Sequence, residues 1–191
     1  MADMKPDASA TRARIVVAAR AEFSEHGLAG ARVDRIAVSA KASKERLYAY
    51  FGDKEALFRA VVEDGFARFL EAVPFTVDDL GEYAAREYLH LAANPQEHRL
   101  LLWTQLQGGT AVAGADDIHA VIAERRNVMA AAQQDGLISD AFTVDDLFTM
   151  IFGITSSWMT APGSDCGPID DAEHQRRASI IEGAVRRLCA P

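Results

Sequence analysis

The stretch "KASKERLYAYFGDKEALF", residues 41–58, gathers four cations, Lys41, Lys44, Arg46 and Lys54, around two tyrosines and two phenylalanines. The chain that contains it has 191 residues and is acidic, with a formal net charge of −8. Ser43 is a good N-cap, and Leu47 and Phe51, four apart, set two apolar side chains on one face of a short helix. Gly52 stops that helix, and Asp53 caps a longer one that carries Leu57, Phe58, Val61 and Val62 on its inner side. Residues 44, 45, 48 and 50 then fall near the leading end and the exposed side of the short helix.

Two more helices precede this stretch. Ile15, Ala18, Ala19 and Phe23 fall at i, i+3, i+4 and i+8, one face of a helix closed by Gly27. Val33, Ile36, Ala37 and Ala40 form a second, shorter apolar face. Three short helices and a long one within about 60 residues, with a tight turn near 40–43, describe a compact helical module. Its charge differs from that of the remainder. Residues 1–55 hold ten Lys/Arg against eight Asp/Glu, a net of +2, while residues 56–191 hold ten against twenty, a net of −10. A sign asymmetry of this kind points to a nucleic-acid-facing end on an acidic body.

Beyond Val73 the pattern stays helical. "FTVDDL" occurs at 75–80 and at 142–147, and each copy reads as a threonine N-cap followed by carboxylates at the positive end of a helix. Asn94-Pro95 opens another helix, with Pro at its first position, and Gly108-Gly109 ends it. Asp116 or Asp117 opens a helix running to Gly136, "APGSDCGP" at 161–168 is a loop, and a last helix runs from about Asp171 to Leu188. No strand pair is evident, so the expected fold class is all-α, with about nine helices.

Composition excludes several classes. With 49% hydrophobic residues and no apolar run near the roughly 20 residues of a membrane span, the chain reads as soluble and without a membrane partner. The N-terminal residues lack the apolar core of a secretory signal, and two cysteines, Cys166 and Cys189, need no disulfide framework; a cytoplasmic location is expected. No cofactor is implied, since phosphate-binding loops, zinc spacings and nucleophile elbows are absent.

Taken together, Ile15, Ala18, Ala19, Phe23, Gly27, Val33, Ile36, Ala37, Ser43, Leu47, Tyr48, Phe51, Lys54 and Leu57 resemble the DNA-binding domain of the TetR family of transcriptional repressors. "LYAYF" followed by "DKEALF" is its most specific part. The resemblance implies a helix-turn-helix domain over residues 1–53, ordered from about residue 9, and a helical ligand-binding and dimerisation domain over 54–191. By similarity, Lys44, Glu45, Tyr48 and Tyr50 approach base edges or the groove wall. Arg46 and Lys54, with Arg32 or Arg35, contact phosphates, and Lys41 and Ser43 complete the DNA-facing set. Lys41 departs from the family, which usually carries Gly at that turn position. A lysine at positive φ costs on the order of 1 kcal/mol. Glu45-Arg46 also replaces small residues common at the front of the recognition helix.

The same resemblance implies a homodimer on double-stranded operator DNA, released by an unknown small-molecule effector. Leu147, Ile151 and Ile154 stripe one helix, and Ile181, Ala184, Val185 and Leu188 stripe the last; these are the candidate dimer-interface residues. Candidate pocket residues are Phe66, Phe69, Tyr88, Trp103, Gln105, Gln107, Met150, Phe152 and Trp158, with Met159 beside them; Trp103 near Gln105 and Gln107 is the most suggestive cluster. Two other functions are open to the sequence. One is a ligand-independent, architectural or partner-regulated DNA-binding factor. The other is a di-metal enzyme, for which Glu87-x-x-His90 and Asp116-x-x-His119 have suitable spacing. That reading lacks a defined second carboxylate pair, and His26, His98 and His174 sit in surface-like contexts. No catalytic or metal residue is therefore assigned, and the expected function is a transcriptional repressor rather than an enzyme.

Overall fold

The structure, a computed structural model, describes residues 6–106, 116–160 and 169–191. All regular elements among them are α-helices: α1 Pro6–Gly30, α2 Val33–Ser39, α3 Lys44–Phe51, α4 Lys54–Ala72, α5 Leu80–Ala93, α6 Pro95–Leu106, α7 Asp116–Gln134, α8 Val144–Thr160 and α9 Asp171–Cys189. The all-α expectation and the number of helices hold. Gly108-Gly109 and the 161–168 stretch lie outside the described residues.

Two compact units divide the chain, one of residues 1–68 with 94–116, the other of residues 69–93 with 117–191. This differs from a single cut at residue 54, because Phe58 and Val61 of α4 and Leu100 of α6 share one core with α1, α2 and α3. Ile15, Ala19, Phe23, Ile36, Leu47, Leu57 and Phe58 are fully buried there. Phe23 and Phe58 meet edge-to-face at 5.1 Å, which adds about 0.5–1.5 kcal/mol to the burial of both rings. Helix α1 is broken at Gly27, whose φ of 63° and ψ of −179° leave the helical region. Trp103 of α6 lies directly against that break. Its ring is 2.8 Å from where a Gly27 Cβ would stand, and its Nε1 donates to the Ser24 carbonyl at 3.3 Å. Ion pairs Arg99–Glu25 at 3.2 Å and Arg68–Glu97 at 2.7 Å tie α6 further into this unit.

In the second unit, α5, α8 and α9 enclose a core that includes Leu80, Ala84, Tyr88, Leu147, Ile151, Ile181 and Val185, with Met129 and Ala132 of α7. Gly81 allows α5 to approach α9 closely, since a Cβ there would sit 2.6 Å from the Glu182 carbonyl. The two "FTVDDL" copies diverge. Thr143 caps α8 as expected, accepting from Asp146 N at 3.2 Å. In the first copy Thr76 accepts only from Asp78 N, and Asp79 caps α5, accepting from Glu82 N at 2.9 Å. The reason lies in packing: Arg186 of α9 donates to both Asp79 oxygens, which places the start of α5 at Asp79 rather than at Thr76. His98 also differs from the surface setting expected of it, for it is buried on α6.

Gly27→Ala meets both a positive φ and the Trp103 ring. It is expected to destabilise the protein by about 2–4 kcal/mol in urea unfolding. Adding Trp103→Ala should recover the steric part alone, so the double variant loses less than the two single losses combined. Additive losses would mean that the ring does not set the requirement for glycine.

Candidate nucleic-acid interface

Helix α2 has only seven residues, and its start is fixed from α1. Glu22, with a side chain 10% exposed, accepts from Arg32 N at 2.8 Å and pairs with the Arg35 guanidinium at 2.6 Å. Burial pushes the Glu22 carboxyl up, but the bonds from Arg35 and Arg32 outweigh it and hold the group below its ordinary range. At the far end of α2, Ala40 N donates to Ile36 O at 2.8 Å and Ala42 N to Ala37 O at 3.0 Å. Lys41 between them has φ 50°, the only positive φ at a non-glycine position among the described residues. The turn thus keeps the left-handed geometry expected of a glycine, with lysine in its place. Arg14 Nε, reaching from α1 to the Ala40 carbonyl at 3.3 Å, closes it.

After that turn Ser43 caps α3, accepting from Arg46 N at 3.2 Å. The Glu45 carboxyl accepts from its own N–H and from the Ser43 hydroxyl, and these bonds hold it below the usual carboxylate range. Leu47 is fully buried and anchors the helix, while Gly52, at φ 82°, terminates it. Lys44, Glu45, Arg46 and Tyr48 consequently project outward, Tyr48 with 45% of its surface exposed. Tyr50 is different: it is half-buried against the core and meets Phe51 at 6.3 Å. Lys54 is half-buried, with Nζ 3.4 Å from the Ala31 carbonyl. Lys44 forms an ion pair with Asp34 of α2. The side chains of Arg32, Lys41 and Arg46 make no hydrogen bond or ion pair among the described residues.

Sequence reading missed four residues of this module: Arg12, whose guanidinium lies 5.1 Å from the Phe51 ring centre, Arg14, Glu22 and Asp34. Glu22 and Arg35 stand thirteen apart and Arg14 and Ala40 twenty-six apart. No helical periodicity links such positions, so only tertiary packing reveals them.

Residues 15–61 match the family model of bacterial regulatory proteins of the tetR family, and residues 79–187 match that of tetracyclin repressor-like C-terminal domains. The chain belongs to the TetR family. It is 36% identical over 157 residues, 82% of each chain, to the HTH-type transcriptional repressor SCO4008 of Streptomyces coelicolor. It is 30% identical over 155 residues, 75% of this chain and 73% of the relative, to the HTH-type transcriptional repressor NicS of Pseudomonas putida. The crystal structure of SCO4942 from Streptomyces coelicolor superposes with a TM-score of 0.77 at 35% identity, covering 94% of this chain and 98% of that one. The protein is therefore a TetR-type helix-turn-helix transcriptional regulator, and the two curated relatives just described are repressors. No helix among the described residues is long and apolar enough to cross a membrane.

The residues suggested for a TetR-type effector pocket are divided between the two units. Phe66, Trp103 and Gln105 belong to the first unit, where Trp103 packs on Gly27 and Gln105 is exposed; Gln107 lies outside the described residues. Phe69, Tyr88, Met150, Phe152 and Trp158 belong to the second. Tyr88 is buried there, its hydroxyl 3.1 Å from His174 Nδ1 and its ring 6.4 Å from Trp158. Of the residues suggested for the dimer interface, Leu147, Ile151, Ile181 and Val185 are buried in the chain's own core, and Ile154 and Leu188 pack against it. Ala184 is half-exposed. Amphipathic stripes look alike whether they face a second subunit or the interior, and here most of the stripe faces inward.

Sequence reading also missed a charged cluster in the second unit. Arg125 of α7, 7% exposed, lies 5.6 Å from the Phe69 ring centre, 5.2 Å from Phe75 and 5.6 Å from Tyr83. Its Nη1 donates to the Tyr83 hydroxyl at 2.8 Å. Glu87 is 9% exposed and accepts no hydrogen bond among the described residues. Burial raises its carboxyl to about 7, and the nearby Arg125 charge offsets this only in part. A folded-state value above that of the unfolded chain means that the stability Glu87 contributes is present below about pH 4.5 and is lost as pH rises to about 7. Glu87→Gln should therefore melt closer to the wild type at pH 5 and gain on it at pH 8. A difference between the two proteins that does not change with pH would show that Glu87 does not titrate in this range.

Proposed function

We propose that this TetR-family regulator is a cytoplasmic repressor that binds a palindromic operator as a homodimer and is released by a small molecule held in its C-terminal unit. The observation that carries the DNA-binding half is the outer face of α3. Lys44, Glu45, Arg46 and Tyr48 stand exposed on a helix whose start is capped by Ser43 and whose inner face is held by the buried Leu47. In a helix-turn-helix such a face enters the major groove, with base contacts specifying the site and phosphate contacts positioning the protein. Lys44, Glu45 and Tyr48 form the reading set. Arg46, Arg32 and Lys41 are the phosphate set, and Arg35, Ser43 and Lys54 support it from the edges. Tyr50 contributes mainly through packing.

Purified protein tested on fragments of its source genome at two salt concentrations should capture a few palindromic sites, more tightly at low salt. Capture no better than random would overturn the reading. Arg46→Ala should weaken binding to all sequences alike and lower the salt slope by about 0.9. Tyr48→Ala should instead lose about 1–3 kcal/mol of discrimination between operator and random DNA. Equal losses on both DNAs for Tyr48→Ala would reverse the assigned roles.

Two half-sites one DNA turn, about 34 Å, apart need two modules, hence the dimer. The faces of α8 and α9 that turn away from the core support it. Gly153 is exposed in mid-helix with open space around its Cβ position, and Ile180 is exposed on α9 near half-exposed Gly183 and Ala184. An exposed glycine inside a helix costs about 1 kcal/mol relative to alanine, a cost that close approach of another helix would offset. Gly153→Arg should leave the monomer folded but shift it from dimer to monomer in sedimentation, with loss of operator binding. An unchanged dimer would place the interface elsewhere. Release by effector requires only that the ligand prefer one arrangement of the dimer; a hundredfold loss of operator affinity corresponds to about 2.7 kcal/mol of preference.

A further inference from the structure

The ion pair between Lys44 and Asp34 is the one place where an outward cation of α3 is held by a carboxylate of the neighbouring helix. Lys44 is the first residue of α3 and Asp34 lies in the first turn of α2, so the pair spans the turn that contains Lys41. Both side chains remain about half exposed or more, 52% and 64%. Neither is buried as part of the core, in contrast to Glu22 beneath Arg35. A lysine ammonium has three donors, and one bond to Asp34 leaves two. Those two match a base that offers two adjacent acceptors in the major groove, as guanine does with N7 and O6. An ammonium without a partner would instead settle on the nearest phosphate, which occurs at every position of any duplex. A carboxylate beside it opposes that, because Asp34 is repelled by the backbone that Lys44 would have to reach.

We infer that Asp34 is a specificity-determining residue of the DNA-binding surface: it aims Lys44 at a guanine edge and keeps it off the phosphate backbone. The inference rests on the proposed placement of α3 in the major groove. Asp34 touches no base in this scheme and acts through Lys44, so it is a positioning residue.

The test uses the full chain on its selected operator and on random duplex of equal length, with four proteins: wild type, Asp34→Asn, Lys44→Ala and the double variant. Asp34→Asn should bind random DNA about twofold to fivefold more tightly, the range expected for releasing an exposed ion pair. It should bind operator no more tightly than wild type, and its tolerance of substitution should rise at one G·C pair in each half-site. In the Lys44→Ala background the same change should have no effect on either DNA. A gain that persists without Lys44, or an equal gain on both DNAs, would mean simple relief of repulsion and would overturn the inference. Equal losses on both DNAs would make the pair a brace of the turn and would overturn it as well. Failure of the wild type to prefer any operator would instead remove the proposed function itself.

Discussion

The outward face of α3 is aimed by a single inward contact. Leu47 is fully buried among Ile15, Phe23, Ile36 and Phe58, and successive helical residues are turned by about 100°. Rotating α3 by one residue would expose Leu47 and bury Arg46 or Tyr48, at a cost of several kcal/mol for lost apolar burial and a desolvated polar group. That penalty fixes which side chains can leave the surface. The ends of α3 are fixed independently by Ser43 and Gly52, and its approach by the left-handed turn at Lys41. The strain at Lys41 persists because its neighbours over-determine the turn: Lys41 N bonds Val38 O, Ala42 N bonds Ala37 O, and Arg14 holds the Ala40 carbonyl.

Net charge describes the DNA-binding end poorly. Its first 55 residues carry only +2, which suggests little attraction for DNA. Yet most of its described carboxylates have work inside the protein. Glu22 holds the start of α2, Glu45 folds back onto Ser43 and its own N–H, Asp53 accepts from Ala56 N at the start of α4, and Asp34 meets Lys44. Arg32, Lys41 and Arg46, by contrast, have no such partner among the described residues. The local field near the turn and α3 is therefore more positive than the sum implies. Charges of the acidic body that lie further than about 8 Å away are largely screened at physiological ionic strength.

Local signals made much of this legible. Caps at Ser43, Asp53 and Thr143 and stops at Gly27, Gly52 and Gly136 were readable, because each depends on residues within one turn of helix. The repeated "FTVDDL" shows where that ends. Identical hexapeptides begin different structures, because Arg186, 107 residues away, recruits Asp79 in one copy only. The same limit applies to the site. Exposed Lys44, Arg46 and Tyr48 followed from the phase of Leu47 and Phe51, whereas Tyr50, at the flank of that face, turned out to pack. The Glu87–Arg125 cluster was invisible because a glutamate three residues before a histidine resembles a metal ligand. Its actual setting is made by Arg125 on α7, by the rings of Phe69 and Phe75 before α5 and by Tyr83 within it.

The division into units has a consequence for regulation. Residues matched by the C-terminal family model include α6, yet α6 packs within the first unit through Leu100, Trp103 and the Glu97–Arg68 pair. Only Asn94 separates α5 from α6, and α4 continues without a break from the first unit into the second. The helix-turn-helix unit and the C-terminal unit are thus joined by helical chain at α4 and by a single residue at Asn94. Within the first unit, Trp103 of α6 fills the space where a Gly27 Cβ would stand, so movement of α6 toward α1 is resisted at the break in α1. The same helix α1 carries Glu22 and Arg14, the two side chains that fix the start of α2 and the turn before α3. Close packing of this kind favours discrete alternative arrangements over gradual deformation, which is what an on–off regulator needs.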